Sequence, residues 1–321
     1  MVCYHPIRAY WSKKPHPSTG NKYLVFNPSQ ARTTDFMTVP CGKCEGCLLD
    51  KSFAWSVRCT LESQFHRENY FLTLTYDKKH LPSDGLLNRV HVQQFLKRLR
   101  KRFSDYKLRV FYCGEYGEAR HRPHYHLIVF GLPLSELNYR LYKLSCSKKG
   151  NINYYNPIIT DIWGKGICTI GSFSSASASY VAQYTMKKNK ENLKIASHNH
   201  RSRRFSVGRP FIGMSNRPAI GQQFFDKYYK QIFQRESFKV DLGKSVVTVR
   251  PLRFFVTQLK KKDPCMYFHC ITRPMRRRMI ENRRLALYSP DEFSSRIDKK
   301  IRNVMIKEER TLRKLEARLD L

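Results

Sequence analysis

Two histidines one residue apart open an apolar run in Arg122-Pro123-His124-Tyr125-His126-Leu127-Ile128. The run continues to Phe130 and predicts a β-strand. Successive side chains of a strand point to opposite faces of its sheet, so His124 and His126 share one face and Tyr125 takes the other. Two imidazoles on one rigid strand supply two ligands for a divalent metal ion. The alternative is a pair of ordinary surface histidines at the end of a strand.

A second motif favours catalysis over that alternative, and it reads Ser179-Tyr180-Val181-Ala182-Gln183-Tyr184-Thr185-Met186-Lys187-Lys188. It follows a serine-rich run that predicts the start of a helix. Tyr180 and Tyr184 are four residues apart, which places both on one face of that helix, one turn apart. The tyrosines alone would also suit a buried aromatic stripe, but the adjoining lysines and the upstream histidines indicate a catalytic site.

The paired tyrosines suit a reaction in which a phenol attacks a DNA phosphodiester. The attack forms a 5′-phosphotyrosine link and frees a 3′-hydroxyl, so the strand can later be rejoined. Two phenols allow cleavage and rejoining to alternate around a circle. Because the ordinary tyrosine pKa is about 10, we expect a metal ion at the phosphate and a nearby lysine to stabilise the developing charge.

Glu115 is the expected third protein ligand of the metal ion. It ends the strand that should pair with the histidine strand, so its carboxylate can reach the same face. Glu118, deeper in the connecting loop, and Gln183, on the tyrosine helix, are alternatives. One carboxylate with two imidazoles suits Mg²⁺ or Mn²⁺.

Cysteines organise the amino-terminal segment. Cys41, Cys44 and Cys47 lie at metal-ligand spacing within Cys41-Gly42-Lys43-Cys44-Glu45-Gly46-Cys47, and Cys3 or Cys59 could supply a fourth thiol. We expect a structural Zn²⁺ site that uses Cys3, with reduced thiols and an iron–sulfur centre as alternatives. In a cytosolic protein the ten cysteines are better explained as thiols or metal ligands than as disulfides.

The charge balance predicts a nucleic-acid partner. The chain has 60 Lys and Arg residues against 25 Asp and Glu residues, which gives a formal net charge of +35 and a pI of about 10.0. Tyr and Phe are interleaved with the basic residues, as phosphate contacts and base stacking require. With 41% hydrophobic residues, disorder throughout is excluded. No apolar run approaches the length of a membrane span, and residues 1–14 lack a signal-peptide core.

Hydrophobic periodicity predicts an α+β fold with an antiparallel pair of strands at the centre of its sheet. The predicted strands cover residues 71–76, 108–113 and 124–130, and the predicted helices cover residues 48–66, 90–103 and 224–233. Three weaker patterns predict an irregular insertion at 132–171, a strand pair at 246–256 and a charged helix at 291–321.

Three segments follow from these patterns. We expect a cysteine-rich metal-binding segment at residues 1–69, a catalytic core at residues 70–220 and a basic helical extension at residues 221–321. The last segment carries no motif that indicates a role.

The combined motifs resemble those of the HUH endonucleases, which are named for two histidines around a bulky hydrophobic residue. Tyr125 occupies the central position here, and residues 71–77 resemble the first conserved strand of these enzymes. The two-tyrosine form, Cys41-Gly42-Lys43-Cys44 and Gly114-Glu115-Tyr116-Gly117 are similar to the replication initiators of microviruses, small icosahedral single-stranded DNA phages, and above all to their gokushovirus branch. The resemblance covers about residues 40–220, with motifs in matching order.

The resemblance implies an HUH-type antiparallel sheet flanked by helices and a rolling-circle replication initiator. Such a protein nicks the viral origin strand in double-stranded DNA, stays linked to the 5′ end and rejoins the displaced single strand into a circle. Tyr180 and Tyr184 would be the nucleophiles, His124 and His126 metal ligands, and Lys188 an electrostatic helper. The protein would act in the host bacterial cytoplasm with a host helicase and polymerase.

Two other functions remain open from the sequence. A transposase or conjugative relaxase would use the same chemistry, commonly with one leading tyrosine. A zinc-containing DNA-binding protein without catalysis would account for the cysteines and the charge, but it would leave the phosphodiester backbone intact.

Overall fold

A computed structural model describes residues 3–18, 20, 22–117, 121–146, 150, 152–182, 208, 210–243 and 245–272. The chain divides into two compact units, one formed by residues 1–50 and 256–321 and the other by residues 51–255. The boundaries expected at residues 69 and 220 stay a prediction. The helix expected at residues 291–321 lies outside the described residues.

The helices and strands follow in chain order. The strands are β1 (Ile7–Trp11), β2 (Leu24–Val25), β3 (Met37–Val39), β4 (Asn69–Tyr76), β5 (Arg109–Tyr116), β6 (Pro123–Phe130), β7 (Tyr142–Cys146), β8 (Ile152–Tyr155), β9 (Gly166–Ser172), β10 (Phe211–Met214), β11 (Phe238–Asp241) and β12 (Val246–Val249). The helices are α1 (Glu45–Ser63), α2 (Arg89–Arg102), α3 (Pro157–Trp163), α4 (described over 175–182), α5 (Gln222–Gln234), α6 (Arg253–Lys262) and α7 (Pro264–Tyr267). Short 3₁₀ and π turns cover Pro28–Gln30 and Phe268–Thr272.

A seven-stranded antiparallel sheet forms the centre of the unit at residues 51–255. Its strand order is β10-β5-β6-β4-β9-β8-β7. The histidine strand β6 lies between β5 and β4, and both pairings are antiparallel. The predicted α+β class and the central antiparallel pair are therefore confirmed. The unit at residues 1–50 and 256–321 contains a smaller antiparallel sheet in the order β2-β1-β3.

Helices α2 and α3 cover one face of the large sheet. On α2, Val92, Phe95 and Leu99 recur at helical spacing and are fully buried. Its first turn is capped by the Asn88 side chain, which accepts a hydrogen bond from the Val90 amide. Trp163 at the end of α3 is also fully buried in this layer. Each such side chain contributes about 1.5–3 kcal/mol of hydrophobic stabilisation.

Helices α1 and α4 pack on the opposite face, which is the face of the two histidines. Cys59 of α1 and Val181 of α4 share a buried cluster with Phe111 and Ile128 of the sheet. Trp55 stacks on Phe111 with ring centroids 4.9 Å apart. The sheet is therefore flanked by helices on both faces. No helix within the described ranges is long and apolar enough to span a membrane.

The irregular insertion predicted at residues 132–171 is wrong. This stretch contains β7, β8, α3 and most of β9, which pairs with β4 along its whole length. Strands β7 and β8 have no fully buried side chains, so they carry no apolar alternation to reveal them. Helix α3 spans only seven residues between Asn156 and a left-handed Gly164, and such a short element resembles a turn in sequence.

The strand pair predicted at residues 246–256 is also wrong in its second half. Residues 246–249 form β12, but its partner is β11, which precedes it in the chain. Residues 253–262 form α6 instead. Its aromatic side chains raise strand propensity, yet Phe255 is fully buried against helix α5 through Phe224 and Phe225. Packing has overridden local propensity here.

A buried ion pair connects α1 to the sheet and to the start of α5. Glu62 is fully buried, and its Oε1 lies 2.5 Å from Arg109 Nε on β5. The second oxygen, Oε2, accepts a hydrogen bond of 2.7 Å from the Gly221 amide. Burial raises the pKa of Glu62, but hydrogen bonds with His66 and Gly221 and the charge of Arg109 outweigh burial and lower the pKa overall.

We predict that Glu62→Gln lowers the free energy of unfolding at pH 7 by about 3–5 kcal/mol, because it leaves the Arg109 charge buried and unpaired. Since the folded-state pKa of Glu62 is lowered, its contribution is complete above the unfolded value of about 4.3. The contribution is lost as the pH falls through the folded value. Urea unfolding of both proteins across this pH range measures the difference.

Glu136→Gln is the matched control. Glu136 pairs with Arg67 at 3.4 Å on the surface, so its loss should cost about 1 kcal/mol or less. Equal destabilisation by the two variants would contradict the structural role given to Glu62.

Candidate functional site

Strand register brings Glu115, His124 and His126 together. Glu115 of β5 lies directly opposite His124 of β6, and Thr73 of β4 lies opposite His126. Directly paired residues of antiparallel strands point to the same face of the sheet. The three side chains consequently place one ligand atom each within 4.8 Å of one another.

The two imidazoles face one oxygen of Glu115. Both Nε2 atoms lie 2.8 Å from Glu115 Oε1. The Nδ1 atom of His124 lies 3.2 Å from the Arg122 carbonyl oxygen, and that of His126 lies 3.0 Å from Thr73 Oγ1. These outer contacts fix each ring with its Nε2 directed at the carboxylate, as outer partners of metal-binding histidines do.

Burial sets the protonation states of the group. His126 is 6% exposed and Glu115 is 5% exposed. Burial lowers the pKa of His126 below its ordinary value, which favours the neutral ring. Burial raises the pKa of Glu115, but hydrogen bonds with His124 and His126 outweigh burial, and the pKa falls overall. A neutral imidazole beside an ionised carboxylate is the state that a metal ion requires.

The donor set fits a divalent cation. A carboxylate oxygen that faces two ring nitrogens needs a positive charge between them, either a proton or a metal ion. The Arg122 carbonyl can only accept, so the hydrogen of a neutral His124 ring lies on Nδ1 and its Nε2 presents a lone pair. One hard oxygen with two imidazole nitrogens suits Mn²⁺ or Mg²⁺.

Tyr180 lies beside this group. Its ring centroid is 5.2 Å from that of His126, in an edge-to-face arrangement, and 6.2 Å from that of Phe71. Its neighbours Val181 and Ala182 are fully buried and fix α4 on the sheet, whereas Tyr180 itself is 41% exposed. The side chain is therefore positioned by packing and still accessible from solvent.

Several predicted site residues lie outside the described part of the chain. These are Tyr184 and Lys188, together with the alternative ligands Glu118 and Gln183. Thr73 is the partner that sequence reasoning missed. The alternation of Phe71, Thr73 and Thr75 in β4 carries a signal for it, but only after the register with β6 is known.

Tyr125 is buried on the opposite face of the sheet, as the alternation predicts. Its hydroxyl lies 2.8 Å from that of Tyr76, donates to the Asn88 carbonyl and accepts from the Asn88 amide. The histidine strand is thereby fixed to the residue that caps α2.

Four cysteines form a second group in the amino-terminal unit. Their sulfur atoms all lie within 4.8 Å of one another, and they belong to Cys3, Cys41, Cys44 and Cys47. The sulfurs of Cys44 and Cys3 are 3.7 Å apart. A Zn–S bond of about 2.3 Å implies sulfur separations of roughly 3.8 Å in a tetrahedral site. The spacing therefore fits a four-thiolate metal ion.

Hydrogen bonding favours thiolates in this group. The amides of Cys41 and Cys44 donate to the sulfurs of Cys3 and Cys41. Burial raises the pKa of Cys44, but backbone and thiol hydrogen bonds outweigh burial and lower the pKa to about 6. Burial and the neighbouring sulfurs raise the pKa of Cys47 to about 12. Four thiolates therefore require a cation among them.

The remaining cysteines do not join the group. The alternative ligand Cys59 is fully buried in the core of the large sheet. All ten cysteines lie within the described residues, and none forms a disulfide.

Comparisons with known proteins agree on one family. Residues 69–189 match a family model whose description is a replication-associated protein of the ORF2 type. The chain is 31% identical to replication-associated protein ORF2 of Spiroplasma virus 4, over 82% of this chain and 81% of the relative. It is 31% identical to replication-associated protein VP4 of Bdellovibrio phage phiMH2K, over 73% and 70% of the two chains.

A third relative is replication-associated protein ORF4 of Chlamydia phage 1, which is 33% identical over 61% of this chain and 48% of the relative. No solved structure matches the chain. The resemblance to microvirus replication initiators is confirmed by these relatives. The chain belongs to the family of ORF2-type replication-associated proteins, among the members that microviruses encode.

Proposed function

We propose that this protein is a rolling-circle replication initiator, an endonuclease that nicks the viral origin strand and rejoins the displaced strand into a circle. The observation that carries the proposal is the accessible Tyr180 ring packed against His126. We assign the large antiparallel sheet to the HUH type, because paired histidines on a central strand and a tyrosine helix on the same face are its defining features.

In the proposed reaction, the Tyr180 hydroxyl attacks the scissile phosphorus. A phosphorus–oxygen bond to the tyrosine forms as the bond to the 3′ oxygen breaks, and the phenolic proton is accounted for on the released 3′-hydroxyl. The 5′ end stays linked to the protein. Reversal of the same exchange, with the 3′-hydroxyl of the displaced strand as nucleophile, closes the circle.

His124, His126 and Glu115 are the proposed holders of a divalent ion. When bound, Mg²⁺ or Mn²⁺ would supply positive charge for the phosphate oxygens as negative charge develops on them. Thr73 and the Arg122 carbonyl orient the two imidazoles. Burial of Glu115 excludes water from the carboxylate and keeps its position fixed.

Tyr184 and Lys188 complete the proposed site on sequence grounds. Tyr184 would attack the regenerated origin while Tyr180 holds the first 5′ end. Lys188 would add positive charge near the leaving oxygen.

The proposal also names partners and segments. The net charge of +35 supports binding of single- and double-stranded viral DNA within the host cell. A host helicase and polymerase would supply unwinding and synthesis. We retain residues 1–69 as a zinc-containing segment, 70–220 as the catalytic core and 221–321 as a basic helical extension.

We predict that wild-type protein incubated with Mn²⁺ and single-stranded origin DNA forms an adduct that survives denaturation. The Tyr180→Phe plus Tyr184→Phe double variant should form at least about 100-fold less adduct, because no phenol remains to make the link. Denaturing electrophoresis with 5′- and 3′-labelled DNA measures the adduct and shows which end is attached.

Tyr142→Phe is the control, because Tyr142 is an exposed tyrosine on β7 outside the site. Its adduct yield should equal that of the wild type. An undiminished adduct in the double variant would refute the proposed nucleophiles. Sound binding without any adduct in the wild type would favour a DNA-binding protein without catalysis.

We predict that Thr73→Val weakens Mn²⁺ binding by about 10- to 100-fold, because it removes the group that orients His126. Glu115→Gln removes the ionised ligand and should weaken binding further. Isothermal titration calorimetry measures both. His16→Ala alters an exposed histidine of the amino-terminal unit and should bind Mn²⁺ as the wild type does. Wild-type affinity in Glu115→Gln would exclude this site.

We predict that purified protein contains one equivalent of zinc held by the four-cysteine group. Cys44→Ser should lose that zinc, since it removes one of four clustered sulfurs. Cys146→Ser, which alters an exposed cysteine outside the group, should retain it. Metal analysis by mass spectrometry separates the alternatives, because iron with labile sulfide would indicate a cluster and no metal would indicate reduced thiols.

A further inference from the structure

An open pocket lies between α5 and the β11–β12 hairpin. It belongs to the segment after residue 220, to which no motif assigns a role. Its volume is about 440 Å³, within the range of about 300–1,000 Å³ that is typical of small-ligand sites. Glu115, His124, His126 and Tyr180 are not among its lining residues.

One wall of the pocket is a stripe along α5. Phe224, Tyr228, Gln231 and Arg235 line it, and their spacing of four, three and four residues places them on one helical face. The core is filled from another face of the helix, where Phe225 is fully buried. The stripe is therefore additional to what folding of this helix requires.

The aromatic rings of the pocket are held in place before any ligand arrives. The Phe224 ring centroid lies 4.9 Å from that of Tyr228 and 5.8 Å from that of Phe238 on the hairpin. Behind it, the Phe255 ring stacks at 6.2 Å and 25°. Such fixed rings offer a stacking surface to a flat ligand at little cost in conformational entropy.

The polar residues of the lining select for a flat anion. Arg235 comes from the end of α5 and Lys239 from β11, and both are exposed, whereas no carboxylate lines the pocket. The side-chain amides of Gln64 and Gln231 add hydrogen-bond donors and acceptors. Aromatic rings, cations and amides together match a nucleobase with its phosphates.

We propose that this pocket binds a nucleotide of single-stranded DNA. The base stacks against Tyr228 and Phe224, and Arg235 and Lys239 contact the flanking phosphates. Duplex DNA does not fit this mode, because its bases are already stacked and paired. The inference goes beyond the proposed nicking reaction and does not depend on it. In a replication protein, such a pocket would hold the displaced strand apart from the nicking site.

Fluorescence anisotropy with full-length protein and a short fluorescein-labelled oligothymidylate tests the proposal. Tyr228→Ala should weaken binding by about 5- to 100-fold, the usual effect of losing one stacked base. Tyr228→Phe retains the ring and should bind within about twofold of the wild type. Lys239→Ala should reduce the salt dependence of binding by about 0.7 in the log–log slope.

Tyr142→Ala, on the exposed strand β7, is the matched control and should keep wild-type affinity. Crosslinking of wild-type protein to a 4-thiothymidine oligonucleotide should label peptides from residues 222–249, and it needs no variant that might fold poorly. Unchanged affinity in a folded Tyr228→Ala protein, an equal loss for duplex DNA, or crosslinks confined to other peptides would overturn the proposal. Failure of adduct formation would affect only the nicking proposal.

Discussion

The register between β5 and β6 is the constraint on which the candidate site depends. Pairing of Glu115 with His124 places one carboxylate and two imidazoles on a single face of the sheet. A slip of one residue would turn the histidines into the layer that α2 and α3 fill. Tyr125 opposes such a slip, because its buried hydroxyl bonds to Asn88 at the start of α2. The metal-type group is thus specified by the core on the other side of the strand.

Packing on the histidine face then positions the nucleophile. The buried side chains of α4 hold it against the sheet, so that Tyr180 meets His126 while still exposed. Glu62 and Arg109 secure α1 on the same face and bind the chain at Gly221, where α5 begins. Because these contacts are buried, the site has a rigid support, which a reaction between two large molecules requires.

The sequence predicted the parts of the fold where side-chain pattern and structure coincide. The alternation around His124 and the helical spacing of Val92, Phe95 and Leu99 both gave the right element and the right face. Strands β7 and β8 were missed because backbone pairing alone specifies them. The pocket beside Tyr228 was missed because it arises from the approach of α5 to a hairpin, which no local pattern encodes.

The central claim is that one divalent ion is held where the sheet residues and the tyrosine helix meet. Crystals of the protein grown with Mn²⁺ and measured at the manganese absorption edge test it most directly. The account predicts an anomalous peak bounded by Glu115 and the Nε2 atoms of His124 and His126, on the side of the sheet where Tyr180 lies. An anomalous peak at other residues, or none at this group at saturating Mn²⁺, would contradict it.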